Sequence, residues 1–177
     1  MSLSLTPITP SSPYWPEATS LYLSAFPTSE RRELSEWEQL SLTEDKFTIY
    51  AIVFEGIFTG ILTIWNFGDF RYVEHFATTE SLRGKGIGAK TISEFLKMQP
   101  QLPVVLEVET PDNIMTCRRI RFYERNGFIL NDCHYLQPPY RSGDAPFPLR
   151  MMCTDNNYLT SYTDHVITTI HRCVYKA

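Results

Sequence analysis

Long apolar runs are missing from this chain. The longest, such as Tyr50-Ala-Ile-Val-Phe54, end after a few residues, far short of the roughly 20 that a helix needs to cross a bilayer. The first ten residues lack the basic start and continuous apolar core of a secretory signal, so the expected location is cytoplasmic, with no membrane partner. Cysteine is scarce and scattered: Cys117, Cys133, Cys153 and Cys173 form no Cys-x-x-Cys pair. That spacing argues against a zinc site and favours four reduced thiols over a disulfide framework, so no metal is expected. An excess of basic charge is also lacking. The net charge of −4 gives no bulk attraction to nucleic acid. Only eight glycines occur, yet three of them stand at Gly84, Gly86 and Gly88.

What is present describes an ordinary globular chain, 43% hydrophobic and 20% charged. Its 177 residues suit one domain over 1–177, with a core of about 3–153 and a tail helix at 155–175. Charge is uneven along it. Residues 1–80 carry a balance of −7, residues 81–126 a balance of +3, and the remainder is neutral. A positive middle and a negative front suit a protein that holds an anionic cofactor and admits a cationic substrate; ordinary solvated surface explains them equally well.

Periodicity predicts a first strand at Leu3 to Ile8 and a helix from Pro16 that turns Ala18, Leu21, Tyr22, Ala25 and Phe26 inward. A second helix, capped by Ser29, carries Leu34, Trp37 and Leu40. Strands follow at Phe47 to Phe54 and Phe58 to Asn66, joined by a turn at Glu55-Gly56-Ile57, and then at Arg71 to Thr78. Ile87, Ile92, Phe95 and Leu96 define a helix, Pro103 to Glu109 a strand, and Asp112 or Asn113 caps a helix that Gly127 stops. Two last strands lie at Phe128 to Tyr135 and Phe147 to Cys153. Leu159, Tyr162, Val166, Ile170 and Val174 predict one amphipathic helix over 155–175, which covers core or meets a second copy, so a homodimer stays open.

The strand Arg71 to Thr78 runs into Arg83-Gly-Lys-Gly-Ile-Gly88 and then into a helix. Such a turn aims backbone N–H groups and the positive end of a helix dipole at one point, which suits a pyrophosphate. Glycines let the chain approach the oxygens closely and take φ > 0, while Arg83 and Lys85 add formal charge. Spaced two and two, the glycines do not fit G-x-G-x-x-G, and no Gly-Lys-Ser/Thr follows. The dinucleotide fold and the P-loop are therefore excluded.

The order of elements, the loop Arg83-Gly-Lys-Gly-Ile-Gly88 and the later Phe122-Tyr-Glu-Arg-Asn-Gly-Phe128 resemble the GNAT superfamily of acyl-CoA-dependent N-acetyltransferases. The resemblance spans about residues 3–153. It implies an α/β (α+β) GNAT-like fold: a mixed, twisted central sheet of about seven strands flanked by helices, with the C-terminal amphipathic helix as an addition. It implies acetyl-CoA as co-substrate, with its pantetheine arm paired to the backbone of Phe76, Ala77 and Thr78. Its diphosphate would lie at Arg83, Gly84, Lys85, Gly86, Ile87, Gly88 and Ala89. The acceptor would be a small-molecule or peptide amine.

Transfer of an acyl group to an amine needs a base for the amine and an acid for the departing thiolate. Tyr123 is the candidate acid. Glu74 is the candidate base, on the expectation that part burial raises its pKa and that it shares a strand face with Phe76 and Thr78, with His75 opposite. Glu107 and Glu109 compete with it. The loop Gln137 to Pro148, with Tyr135 and Tyr140, is expected to wall the acceptor pocket. A non-catalytic acyl-CoA sensor that keeps the cleft alone is the alternative.

Overall fold

The computed structural model describes residues 2–82 and 84–177; Arg83, expected at the diphosphate, lies outside the described residues. The elements run β1 (Leu3–Ile8), α1 (Trp15–Ala25), α2 (Leu34–Thr43), β2 (Phe47–Phe54), β3 (Ile57–Asn66), β4 (Arg71–Thr78), α3 (Ile87–Met98), β5 (Val104–Glu109), α4 (Ile114–Arg125), β6 (Ile129–Leu130), β7 (Tyr135–Gln137), β8 (Phe147–Cys153), α5 (Asn156–Ser161) and α6 (Thr163–Ile170). A π-helical turn, His171–Tyr175, closes the tail. The strands form one sheet of eight in the order β1-β2-β3-β4-β5-β8-β6, with β7 paired to β8. This is one strand more than expected, because the segment 128–137 splits into β6 and β7.

Alternation along the strands divides the core in two. Phe47, Ile49, Ala51 and Val53 of β2 face α1, α2 and the tail, where Tyr22, Trp37, Val166 and Ile170 are fully buried. Tyr50 and Ile52 face the other layer, with Ile92 and Phe95 of α3 and Ile120 and Tyr123 of α4. Both faces of the middle strands are therefore covered, which is why β2 and β3 read as nearly continuous apolar runs. The β2–β3 turn places Glu55 and Gly56 at φ of 51° and 78°, the doubly left-handed pair that suits a tight hairpin.

Pairing is antiparallel except between β4 and β5, which are parallel and joined through α3, the crossover that parallel neighbours require. That parallel ladder is short. It holds Arg71 to Val104, Tyr72 to Val105 and Val73 to Leu106, and no pair follows. On its other side β4 stays paired with β3 as far as Gly60–Thr78. Gly60 permits this close approach, since a Cβ there would lie 2.4 Å from the Ala77 carbonyl oxygen. The ends of β4 and β5 thus separate inside an otherwise continuous sheet.

The tail departs from the single expected helix. It breaks at Tyr162, where φ is −123° and ψ 26°, and Tyr162 is 54% exposed rather than inward. Ser29 does not cap the second helix either. Residues Thr28–Glu30 form a 3-10 turn, and α2 starts at Leu34 with no side-chain cap. Arg32 occupies the gap. Its backbone N–H donates to the Tyr22 hydroxyl at 3.0 Å, and its side chain turns into the protein. By contrast, Asn113 caps α4 as expected, in a reciprocal capping box with Thr116.

Candidate functional site

The glycine loop has the expected backbone. Gly84 and Gly86 sit at φ of 79° and 78°, and Gly86 is the residue at which α3 begins. A Cβ on either would meet nothing within 4 Å among the described residues, so backbone conformation is what demands glycine there. Lys85 is exposed, whereas Ile87 turns into the core. The first N–H groups of α3, from Ile87 to Ala89, have no acceptor within the helix by geometry alone. Gly88 serves packing: a Cβ there would lie 3.3 Å from the Phe122 ring and 3.7 Å from that of Phe76. This contact joins the head of α3 to α4 and to the free end of β4.

Phe76 lies in the same layer as Phe122 and Tyr123, with the two phenylalanine rings 6.4 Å apart. Tyr123 is 9% exposed, packed edge-on against Phe122 and Phe128. Its hydroxyl has no hydrogen-bond partner among the described residues. Burial pushes that hydroxyl up to about 12, against a weaker opposing pull from Arg119.

Glu74 is elsewhere, and its expected surroundings need correction. Between Thr63 and Ile64 of β3 the partner on β4 changes from His75 to Val73, which makes Glu74 the extra residue of a β-bulge. The bulge cancels the alternation that was expected to set Glu74, Phe76 and Thr78 on one face. Glu74 and His75 both lie against the α1, α2 and tail layer, where each contacts Tyr140, while Phe76 faces the opposite layer.

The side chain of Glu74 is fully buried. Arg32 Nη2 donates to it at 2.8 Å, Trp65 Nε1 at 2.6 Å and the Tyr140 hydroxyl at 3.0 Å. Burial alone raises its pKa. Arg32 beside it, His75 and these hydrogen bonds outweigh burial, so the carboxyl is held below the usual range, the reverse of the expected direction. Arg32 is tied in turn to Glu36 at 3.4 Å and to the Val174 carbonyl at 2.8 Å. A carboxylate fixed this way is a poor base and a strong structural anchor.

Glu107 provides the contrast. It lies on β5 just past the last β4 pair, and its hydrogen-bond partners are all neutral: the hydroxyls of Tyr135 and Tyr175, the latter at 2.8 Å, and Gln137 Nε2 at 2.7 Å. Burial raises its pKa, and the hydrogen bonds only partly offset that. Glu109 is partly exposed and paired with Arg119 at 2.6 Å. The two interior carboxylates are thus pushed in opposite directions, the pattern that separates an acid–base group from a fixed charge. Among the described residues no cluster of three or more His, Cys, Asp or Glu side chains is placed for a metal ion. Nor is any helix there long and apolar enough to cross a membrane.

The model of the acetyltransferase (GNAT) domain matches residues 45–130. A GNAT-family protein from Bacteroides thetaiotaomicron superposes with a TM-score of 0.93 at 34% identity, covering 100% of this chain and 99% of its own. The chain belongs to the GNAT acetyltransferase family. YjbC of Bacillus subtilis strain 168 is 33% identical over 116 residues, which is 64% of this chain but only 56% of YjbC, so the match spans little more than half of that curated relative. A GNAT acetyltransferase from Elizabethkingia anophelis, solved with acetyl-CoA bound, shares the fold at a TM-score of 0.57 and 14% identity, covering 85% of this chain and 96% of its own.

The GNAT fold accounts for the expected sheet flanked by helices. Sequence reasoning missed Arg32, Trp65 and Tyr175 around the two carboxylates, and placed Gln137 only as the start of the loop expected to wall the acceptor pocket. The one signal for Tyr175 was its place beside Val174 in the apolar repeat, a tyrosine whose ring belongs inside and whose hydroxyl needs a partner.

Proposed function

We propose that this GNAT protein transfers an acetyl group from acetyl-CoA to a primary amine, both bound at once and the amine attacking directly. The observation that carries the reading is the open β4–β5 ladder, with the glycine loop beyond it and unlike proton-handling groups on its two faces. Tyr123 stands on the α3–α4 face and Glu107 on the other. The backbone of Phe76, Ala77 and Thr78, unpaired with β5, receives the pantetheine amides as an added strand does. Gly84 to Ala89 hold the diphosphate through main-chain N–H groups at the head of α3, with Arg83 and Lys85 adding charge. The acetyl-CoA-bound relative of the same fold supports this choice of donor.

Acetyl-CoA brings a thioester with a good leaving group. Glu107 takes the proton from the amine, because burial raises its pKa and no cation among the described residues holds it ionised. Tyr123 keeps its proton at neutral pH and donates a hydrogen bond toward the departing sulfur. Glu74 is not the base; it fixes Arg32 and Tyr140 beneath the acceptor side. Holding amine and thioester in contact supplies much of the remaining rate.

Calorimetry with acetyl-CoA, together with thiol release over a panel of amines (a small polyamine, an amino acid, an aminoglycoside and a peptide N-terminus), tests the reading. Saturable binding and amine-dependent thiol release are expected. Binding without release to any amine replaces the enzyme with an acyl-CoA sensor. Failure to bind overturns both.

A further inference from the structure

The tail was expected to cover core or meet a partner, and it does bury Leu159, Val166, Ile170 and Val174 against the sheet. Its last turn does something that covering does not require. Tyr175 is 8% exposed and inserts its hydroxyl between Glu107 and Gln137, 2.8 Å from Glu107 Oε2 and 2.7 Å from Gln137 Nε2. The hydroxyl of Tyr72, from β4, lies 3.2 Å away.

A phenol has one proton. With Gln137 Nε2 only able to donate, and the carboxylate only able to accept, Tyr175 gives its proton to Glu107 and receives from Gln137 and Tyr72. The backbone holds this turn from below, since the Val174 carbonyl accepts from Arg32, the same guanidinium that anchors Glu74. At its end Lys176 pairs with Glu36 at 2.8 Å. Two successive residues, Val174 and Tyr175, thereby link the surroundings of both interior carboxylates.

We propose that the C-terminal turn is a working part of the acceptor site, with Tyr175 a positioning residue that orients Glu107 and sets when it is ionised. This rests on the reading of Glu107 as the base. The groups facing Glu107 are Tyr72 from β4, Tyr135 and Gln137 from β7, Tyr175 from the tail and, farther off, Tyr140 from the loop before β8. None is a cation; Arg32, the nearby buried one, is bonded to Glu74. With no ion pair to dominate, each hydroxyl that donates to the charged form lowers the pKa of Glu107, and loss of one raises it.

The test is a carboxyl 13C NMR titration of the full chain, the Glu107 signal being assigned by its loss in Glu107→Gln. It is compared between wild type and Tyr175→Phe, which keeps the ring and hence the packing. The expected result is an upward shift of the Glu107 midpoint by about one pH unit, the size of one hydrogen bond to a charged group. The acidic limb of the pH profile for acetyl transfer to a small polyamine should move by a matching amount, with the KM for acetyl-CoA unchanged. An unmoved titration overturns the role of Tyr175 and leaves Glu107 as base untouched. A moved titration with an unmoved limb, and full activity in Glu107→Gln, overturns the base itself and the role built on it.

Discussion

The two sides of the open β4–β5 ladder are built by different means. On the proposed cofactor side, Gly84 to Ala89 form one short segment that offers its backbone; Gly84 and Gly86 contribute conformation and, among the described residues, open space. On the proposed acceptor side, Arg32, Trp65, Tyr72, Glu74, Glu107, Tyr135, Gln137, Tyr140 and Tyr175 are drawn from most of the length of the chain, and they meet one another through side chains. A main-chain site tolerates change in its neighbours but not in its dihedral angles. A side-chain cluster is the converse: each member supports the others, and stability and chemistry become hard to separate.

The sharpest way to break this contrast is to remove chemistry without removing a charge anchor. Glu107→Gln should lower kcat/KM for amine acetylation by about 10²–10⁴, while acetyl-CoA affinity by calorimetry stays near that of wild type. The neighbouring carboxylate should fail differently. Glu74→Ala leaves Arg32 charged and buried without its main partner, so urea unfolding should show a loss of about 3–5 kcal/mol; stability near that of wild type would deny the anchor role.

On the cofactor side, Gly86→Val forces a β-branched residue to positive φ at the head of α3, a strain of about 1–2 kcal/mol. Acetyl-CoA binding should weaken by about tenfold or more in calorimetry, with far-UV circular dichroism unchanged. Unaltered affinity would mean that the diphosphate is held elsewhere.

The smallest expected effect is on the pH dependence of stability. Glu107 has a raised native pKa, so its contribution is full below the unfolded value of about 4.3 and is lost as pH rises through the native one. His75 runs the other way. Burial lowers its pKa, and its contribution drains as pH falls below the unfolded value of about 6.5. Acidification from pH 7 to 4 therefore brings opposing changes in wild type. In Glu107→Gln only the loss remains, so its melting temperature should fall more steeply over that range. Parallel curves for the two proteins would show that Glu107 titrates normally.

The same contrast explains what was legible in the sequence. Strand and helix positions followed from periodicity, because both faces of the sheet are covered and the caps are local: Asn113 and Gly127 are spelled out beside the helix they bound. The glycine loop was legible for the same reason. The acceptor side was not. Its members have no common spacing, and Arg32 to Glu74 or Tyr175 to Glu107 are pairings across 42 and 68 positions. Glu74 was misread for one further reason. Strict alternation was assumed through a strand that carries a bulge, and no proline or glycine marks the place. The tail was read as one helix because its apolar repeat continues through Tyr162, although the backbone breaks there.

The surplus residue in β4 is what lets two successive side chains, Glu74 and His75, face the same layer, while Val73 before them and Phe76 after them face the other. Deleting Glu74 would let the ladder close in even register, with Val73, His75 and Phe76 each keeping its side of the sheet. Phe76 would stay packed near Phe122, and the loss would fall on Arg32, left without its carboxylate. Inserting one more residue after His75 is the change that would turn Phe76 the other way. The extra position thus carries the anchor and nothing of the glycine-loop side.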